Sequence, residues 1–303
     1  MGHVRWRQGL AVVAFGITGN SCQSRVVADS PEEYLSEPPA QIGQDPSHTC
    51  TGTDPAGGSV HRSRDRTSVA PPTTSTLPAP KEQPVASSAL PAGLTVGRAT
   101  ELAISNDLPI LVVHGEAGTT AAMIYLHGVC GNIFALSNWA STASHFVTIL
   151  ALRGDIPCDS GGRRRFSQST WRLNARIESA LATVRELRGG QLELKHPVIF
   201  GYSQGAVRAQ SLALDYPKKY RRIVLGGAPR KPWLHKLRST SQVAVFGGEN
   251  EETLHMKTGV NELNANGVSS RYWELPDAGH GQYGMGGPRV IGDIMTWLFT
   301  PEG

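Results

Sequence analysis

The chain has 303 residues, 39% of them hydrophobic and 18% charged, and a formal net charge of +4. That is enough for one large α/β domain with a real core, or two small ones. The positive charge is mild and scattered. It shows no basic-plus-aromatic pattern for nucleic acid, and its one tight run, Arg163-Arg164-Arg165, reads as a solvated loop.

The first 22 residues predict an export signal. Arg5 and Arg7 precede an apolar stretch from Leu10 to Ile17, and small and polar residues follow. That stretch is too short to span a bilayer stably. Gly19-Asn20-Ser21-Cys22 resembles a bacterial lipoprotein cleavage site, although Gly19 and Asn20 depart from its usual residues. A lipid on Cys22 would tether the chain to a membrane at the cell envelope. The alternative is a secreted chain whose Cys22 leaves with the signal peptide.

Residues 23–92 are rich in Pro, Ser, Thr, Gly and charge, and no apolar period lasts for a full element. Such a composition cannot bury enough surface to offset the entropy of ordering, so a disordered tether is expected. From 93 to 303 the pattern is that of one folded domain. Leu94 to Ala103 and Leu108 to Val113 predict antiparallel strands around Ser105-Asn106-Asp107. Strands are predicted over Ala121–Leu126, Phe146–Leu152, Val198–Phe200, Ile223–Leu225, Val243–Phe246 and Ser269–Leu275. Helices are predicted over Asn132–Ser144, Trp171–Leu187, Ala206–Tyr216, Pro232–Leu237, Glu251–Asn266 and Val290–Phe299, and a long polar loop over Arg153–Thr170. This order predicts an α/β fold: a mostly parallel central sheet with antiparallel N-terminal strands and helices on both faces, three layers in all.

The chemistry centres on Gly201-Tyr202-Ser203-Gln204-Gly205. A buried strand leads into it and a helix follows, which is the context of a nucleophile elbow with Ser203 as nucleophile. A serine needs a base, a group to orient the base and donors for the oxyanion. His280, in the loop between the last strand and the last helix, is the candidate base. Gln204 offers its N–H at the start of the elbow helix, where amides are unpaired and the dipole is favourable. Val129, in Leu126-His127-Gly128-Val129-Cys130-Gly131, is the candidate second donor.

This order of motifs resembles the α/β-hydrolase family, within it the small serine carboxylesterase, dienelactone-hydrolase and phospholipase-like branches. The resemblance spans about residues 94–303. It implies the family's fold, acyl transfer on esters or amides, and an acid placed after the strand Val243–Phe246. The sequence there is Gly247-Gly248-Glu249-Asn250-Glu251-Glu252, without aspartate. Glu251 is the first choice by its spacing from Gly248, with Glu252 and Glu249 as alternatives.

Cys130 and Cys158 each follow a strand of the same sheet, so a disulfide between their loops is expected in an exported chain, with Cys50 left over. No cluster has metal-ligand spacing, and no cofactor is expected. The short stretch between Gly226 and Ser241 leaves no room for a large lid. Tyr202, Trp233, Tyr283 and Met285 are candidates to line the open site. The function expected is a serine hydrolase that cleaves a small-molecule carboxylic ester through an acyl-enzyme. The alternatives are a peptidase or amidase on the same residues, a polysaccharide deacetylase-like esterase at the envelope, and a non-catalytic binding module of the same fold.

Overall fold

The computed structural model describes residues 90–158 and 161–300. The expected export signal, Cys22, Cys50 and nearly all of the expected tether lie outside the described residues.

Eight strands form one mixed sheet: β1 (Ala99–Leu102), β2 (Ile110–Val113), β3 (Ala122–Leu126), β4 (Thr148–Leu152), β7 (Val198–Tyr202), β8 (Arg222–Gly226), β9 (Gln242–Gly248) and β10 (Ser269–Leu275). Their spatial order is β1-β2-β4-β3-β7-β8-β9-β10. The two N-terminal strands pair antiparallel, and β2 pairs antiparallel with β4. From β4 onward every neighbour is parallel. Strands β3, β4 and β7 are buried along their whole length, as apolar runs covered on both faces must be.

Alternate residues feed two cores. Ile124, Leu126, Leu150 and Leu152 face a core completed by helices α2 (Thr170–Leu187), α3 (Gln204–Asp215) and α5 (Leu254–Ala265). Met123, Tyr125, Ile149 and Ala151 face the other, closed by α1 (Ala140–Ala143) and α6 (Gly287–Phe299). Helix α2 buries Leu173, Ile177, Leu181 and Val184, an i, i+4, i+8, i+11 stripe.

Three stretches differ from the sequence expectation. The helix expected over Asn132–Ser144 is a 3₁₀ helix, Ile133–Asn138, followed by the single turn α1. Ile133, Leu136 and Trp139 recur every third residue and are all buried, which is the period of a 3₁₀ helix. The long polar loop contains a small hairpin, β5 (Ile156–Pro157) with β6 (Arg164–Arg165). Asp155 braces it by accepting the Ser167 N–H at 2.7 Å. Helix α5 starts at Leu254 rather than Glu251, because the preceding glutamates have other partners, described below. The β8–β9 connection carries only a one-turn helix, α4 (Leu234–Leu237).

Candidate active site

The elbow lies where β7 turns into α3. Ser203 has φ 52° and ψ −114°, a backbone conformation that disfavours a side chain. The turn closes so tightly that a Cβ on Gly201 would stand 2.1 Å from the Gly205 carbonyl oxygen, and one on Gly205 2.0 Å from that of Leu126. Neither position can hold any other residue without moving the backbone. The reward is position: Ser203 projects from the carboxyl end of the central strand, the edge where α/β sheets gather their loops.

His280 reaches Ser203 from the loop after β10. Its Nε2 is 3.1 Å from Ser203 Oγ, and its Nδ1 is 2.7 Å from Glu251 Oε2. The three expected glutamates separate by role. Glu251 orients the imidazole while its other oxygen accepts the Gly248 N–H at 2.6 Å. Glu252 accepts the N–H of Leu254 at 2.8 Å, at the start of α5. Glu249 accepts the Asp277 N–H at 3.0 Å and so steadies the loop that carries His280. Neither of the last two touches the imidazole.

The electrostatics follow from these contacts. Burial would raise the Glu251 carboxyl, but the His280 and Gly248 hydrogen bonds outweigh it and hold the group below the usual carboxylate range. His280 is raised above the ordinary histidine value, chiefly by its hydrogen bond to Glu251 and against partial burial. His255, on α5, donates Nε2–H to the Ala228 carbonyl at 2.7 Å and adds positive potential near Glu251.

The loop after β3 flanks the serine on the other side. A Cβ on Gly128 would lie 3.2 Å from Ser203 Cβ and 3.7 Å from its Oγ, so this backbone runs directly beside the Ser203 hydroxyl. Val129 comes next and is exposed. As the first residue of α3, Gln204 has no intrahelical acceptor for its N–H. Cys130, in the loop after β3, is bonded to Cys158, which directly follows β5 of the small hairpin.

Sequence reasoning missed several supports. His127 is buried, and one neutral tautomer satisfies both its bonds: Nδ1–H donates to the Gly128 carbonyl at 2.7 Å, and Nε2 accepts the Gly154 N–H at 3.0 Å. Burial lowers its pKa, in keeping with that neutral form. The Gln204 side chain accepts the Phe166 N–H at 2.9 Å, tying the elbow to the β5–β6 hairpin. Gly131 bridges to Arg164 of the same hairpin. The His-Gly pair at the end of β3 was the available signal for His127; nothing local signalled Gln204 to Phe166.

Two expected lining residues are corrected. Tyr202 and Tyr283 are buried, because they close an aromatic cluster with Phe246 beneath the site. Trp233 and Met285 are exposed. Among the described residues, no group of three His, Cys, Asp or Glu side chains could hold a metal ion.

No family model matches the chain, and no curated protein matches it in sequence. Solved structures do match. FphF, a fluorophosphonate-binding serine hydrolase of Staphylococcus aureus, aligns with a TM-score of 0.50 at 11% identity, over 67% of this chain and 98% of its own. A carboxylesterase of Mesorhizobium loti aligns at 0.48 and 22% identity, over 67% and 99%. The naproxen esterase of Bacillus subtilis aligns at 0.49 and 11%, over 67% and 92%. The sheet order, the strand–elbow–helix at its centre and the likeness to FphF together identify the architecture: this chain has the α/β-hydrolase fold.

Proposed function

We propose that the chain is a serine hydrolase that cleaves a carboxylic ester through an acyl-enzyme. One observation carries the reading: the unbroken line from Ser203 Oγ through His280 to Glu251, with contacts of 3.1 and 2.7 Å. In that geometry His280 Nε2 takes the hydroxyl proton as Ser203 attacks the acyl carbon. Glu251 holds the tautomer and stabilises the imidazolium. The N–H groups of Gln204 and Val129 receive the oxyanion. His280 then returns the proton to the departing alcohol. A water, deprotonated by the same imidazole, releases the acid.

The surroundings favour a neutral substrate. Residues 128–138 and 281–288 contain no charged side chain. Val129, Phe134 and Met285 in these stretches are exposed apolar groups. The short β8–β9 connection leaves the serine accessible, which suits small or accessible acyl esters. An export signal, and a lipid on Cys22, would place the activity at the cell envelope or outside the cell. The Cys130–Cys158 disulfide supports an oxidising compartment.

The test is a fluorophosphonate probe on the purified full chain, beside Ser203→Ala and His280→Ala, followed by matched ester and amide panels of graded acyl length. Labelling of the parent chain alone, with ester turnover, is the expected result. A folded parent chain that takes no label would overturn the reading in favour of a binding module. Turnover confined to the amides would convert it to a peptidase or amidase.

A further inference from the structure

The residue before the nucleophile does more than fill the core. Tyr202 is the second residue of the elbow, and its side chain turns under the histidine loop. Its hydroxyl oxygen accepts the Gly281 N–H at 2.6 Å. Its ring centroid stands 5.5 Å from the His280 imidazole. A Cβ placed on Gly227 would lie 2.8 Å from the Tyr202 hydroxyl and 3.2 Å from His280 Cε1, so hydroxyl and imidazole sit side by side over the same backbone.

We infer that Tyr202 is a positioning residue for His280: its hydroxyl fixes the peptide that follows the base, and so couples nucleophile and base through adjacent residues. The inference rests on the catalytic reading above. The histidine loop needs such a fastener. Asn250 and Glu249 tie it to the acid loop, through the Ala278 carbonyl at 2.9 Å and the Asp277 N–H at 3.0 Å. Gln282 accepts the Gly279 N–H at 3.0 Å within the loop itself. These contacts bind the loop to the side of Glu251. The Tyr202 hydroxyl binds it to the elbow. It remains a neutral phenol at working pH, because burial pushes it up to about 12 and the nearby Glu251 charge adds to that.

The imidazole must keep Nδ1 on Glu251 while Nε2 serves Ser203 and then the leaving group. A loop free to drift by an ångström lengthens one contact or the other. Freed from its anchor, His280 spends less time on Glu251 and loses part of the interaction that raises its pKa. The groups facing this imidazole are Glu251, Tyr202 and Ser203, with His255 acting through Glu251.

The experiment is Tyr202→Phe in the full chain, with Tyr125→Phe as control for loss of a buried hydroxyl beside Tyr283. The expected result is a fall in kcat of about three- to tenfold, the size of one hydrogen bond held through the transition state, with KM unchanged. The His280 titration midpoint, read by NMR of histidine-labelled protein, should fall towards the ordinary value. An unmoved midpoint with unchanged kcat would overturn the inference. So would a fall in kcat matched by Tyr125→Phe with the midpoint unmoved, since that is a structural effect. Hydrogen exchange at Gly281 of the parent chain needs no variant: slowed exchange is expected there, and exchange at the free-peptide rate would overturn the inference. The NMR and exchange readouts do not require turnover, so failure of the hydrolase reading would be seen separately, as a parent chain without probe labelling.

Discussion

Two walls flank Ser203, and they are fastened differently. The wall at the ends of β3 and β4 is braced by the Cys130–Cys158 bond, two hydrogen bonds to His127, the Gly131–Arg164 bridge and the Gln204–Phe166 contact. The wall at the ends of β9 and β10 holds Glu251 and His280 through hydrogen bonds and ring packing, with no covalent cross-link among the described residues. The contrast matches what each wall would do in the proposed reaction. Oxyanion donors act best when fixed in advance, since any reorganisation during the reaction is a cost. A base that takes a proton from one oxygen and gives it to another needs small adjustments of a ring, which hydrogen bonds allow.

The largest expected effect lies on the hydrogen-bonded wall. Glu251→Gln keeps the shape but removes the charge that orients and stabilises imidazolium, and kcat should drop roughly 10⁴-fold. Glu252→Gln, at a side chain that accepts the Leu254 N–H at 2.8 Å instead of the imidazole, should leave kcat near that of the parent chain. Equal losses in the two would break the assignment of the acid, and steady-state kinetics on the best ester decides it.

On the covalent wall the expected effect is on stability first. The disulfide closes a segment with a sequence separation of 28, so Cys130→Ser with Cys158→Ser should cost about 3–4 kcal/mol if chain entropy dominates. Thermal and urea melts measure it. Turnover should also fall in the double variant. A melt that shifts while kcat and KM stay put would show that the non-covalent braces of this wall suffice to hold the donors.

A smaller effect is the pH profile. His280 must be neutral to act as base, and its bond to Glu251 raises its pKa above 6.5. Activity should therefore be full at alkaline pH and fall as pH drops through a midpoint above 6.5. His127 is shifted the other way: neutral in the folded state, it contributes stability above its unfolded value and loses it as pH falls through its lowered pKa. The two limbs should separate, with kcat/KM declining at a higher pH than the melting temperature. Coincident limbs would mean that acid acts by unfolding rather than by protonating the base.

The strands and the elbow were legible because both are local patterns: apolar runs of strand length, and a Gly-x-Ser-x-Gly turn between a strand and a helix. Ser203, His280 and Glu251 were nameable from motif and order, and the structure brings their side chains together. The supports were not legible, for a physical reason. Tyr202 to Gly281, Gln204 to Phe166 and His127 to Gly154 join residues 79, 38 and 27 positions apart. Nothing in a tyrosine or glutamine beside a serine says which distant amide it will meet. The helix expected over Asn132–Ser144 begins as 3₁₀ because Ile133, Leu136 and Trp139 are buried at every third residue, a spacing that the sequence alone does not separate from an α-helical one.

The positive φ of Ser203 also bears on how far this fold could be made heat-resistant. A non-glycine residue held there stores on the order of 1–3 kcal/mol. Ser203→Gly releases that strain, whereas Ser203→Ala keeps it, so the glycine variant should melt above both the parent chain and the alanine variant. A serine at this position thus carries a thermodynamic cost that a glycine would not, a cost that the proposed role of Ser203 as nucleophile would offset.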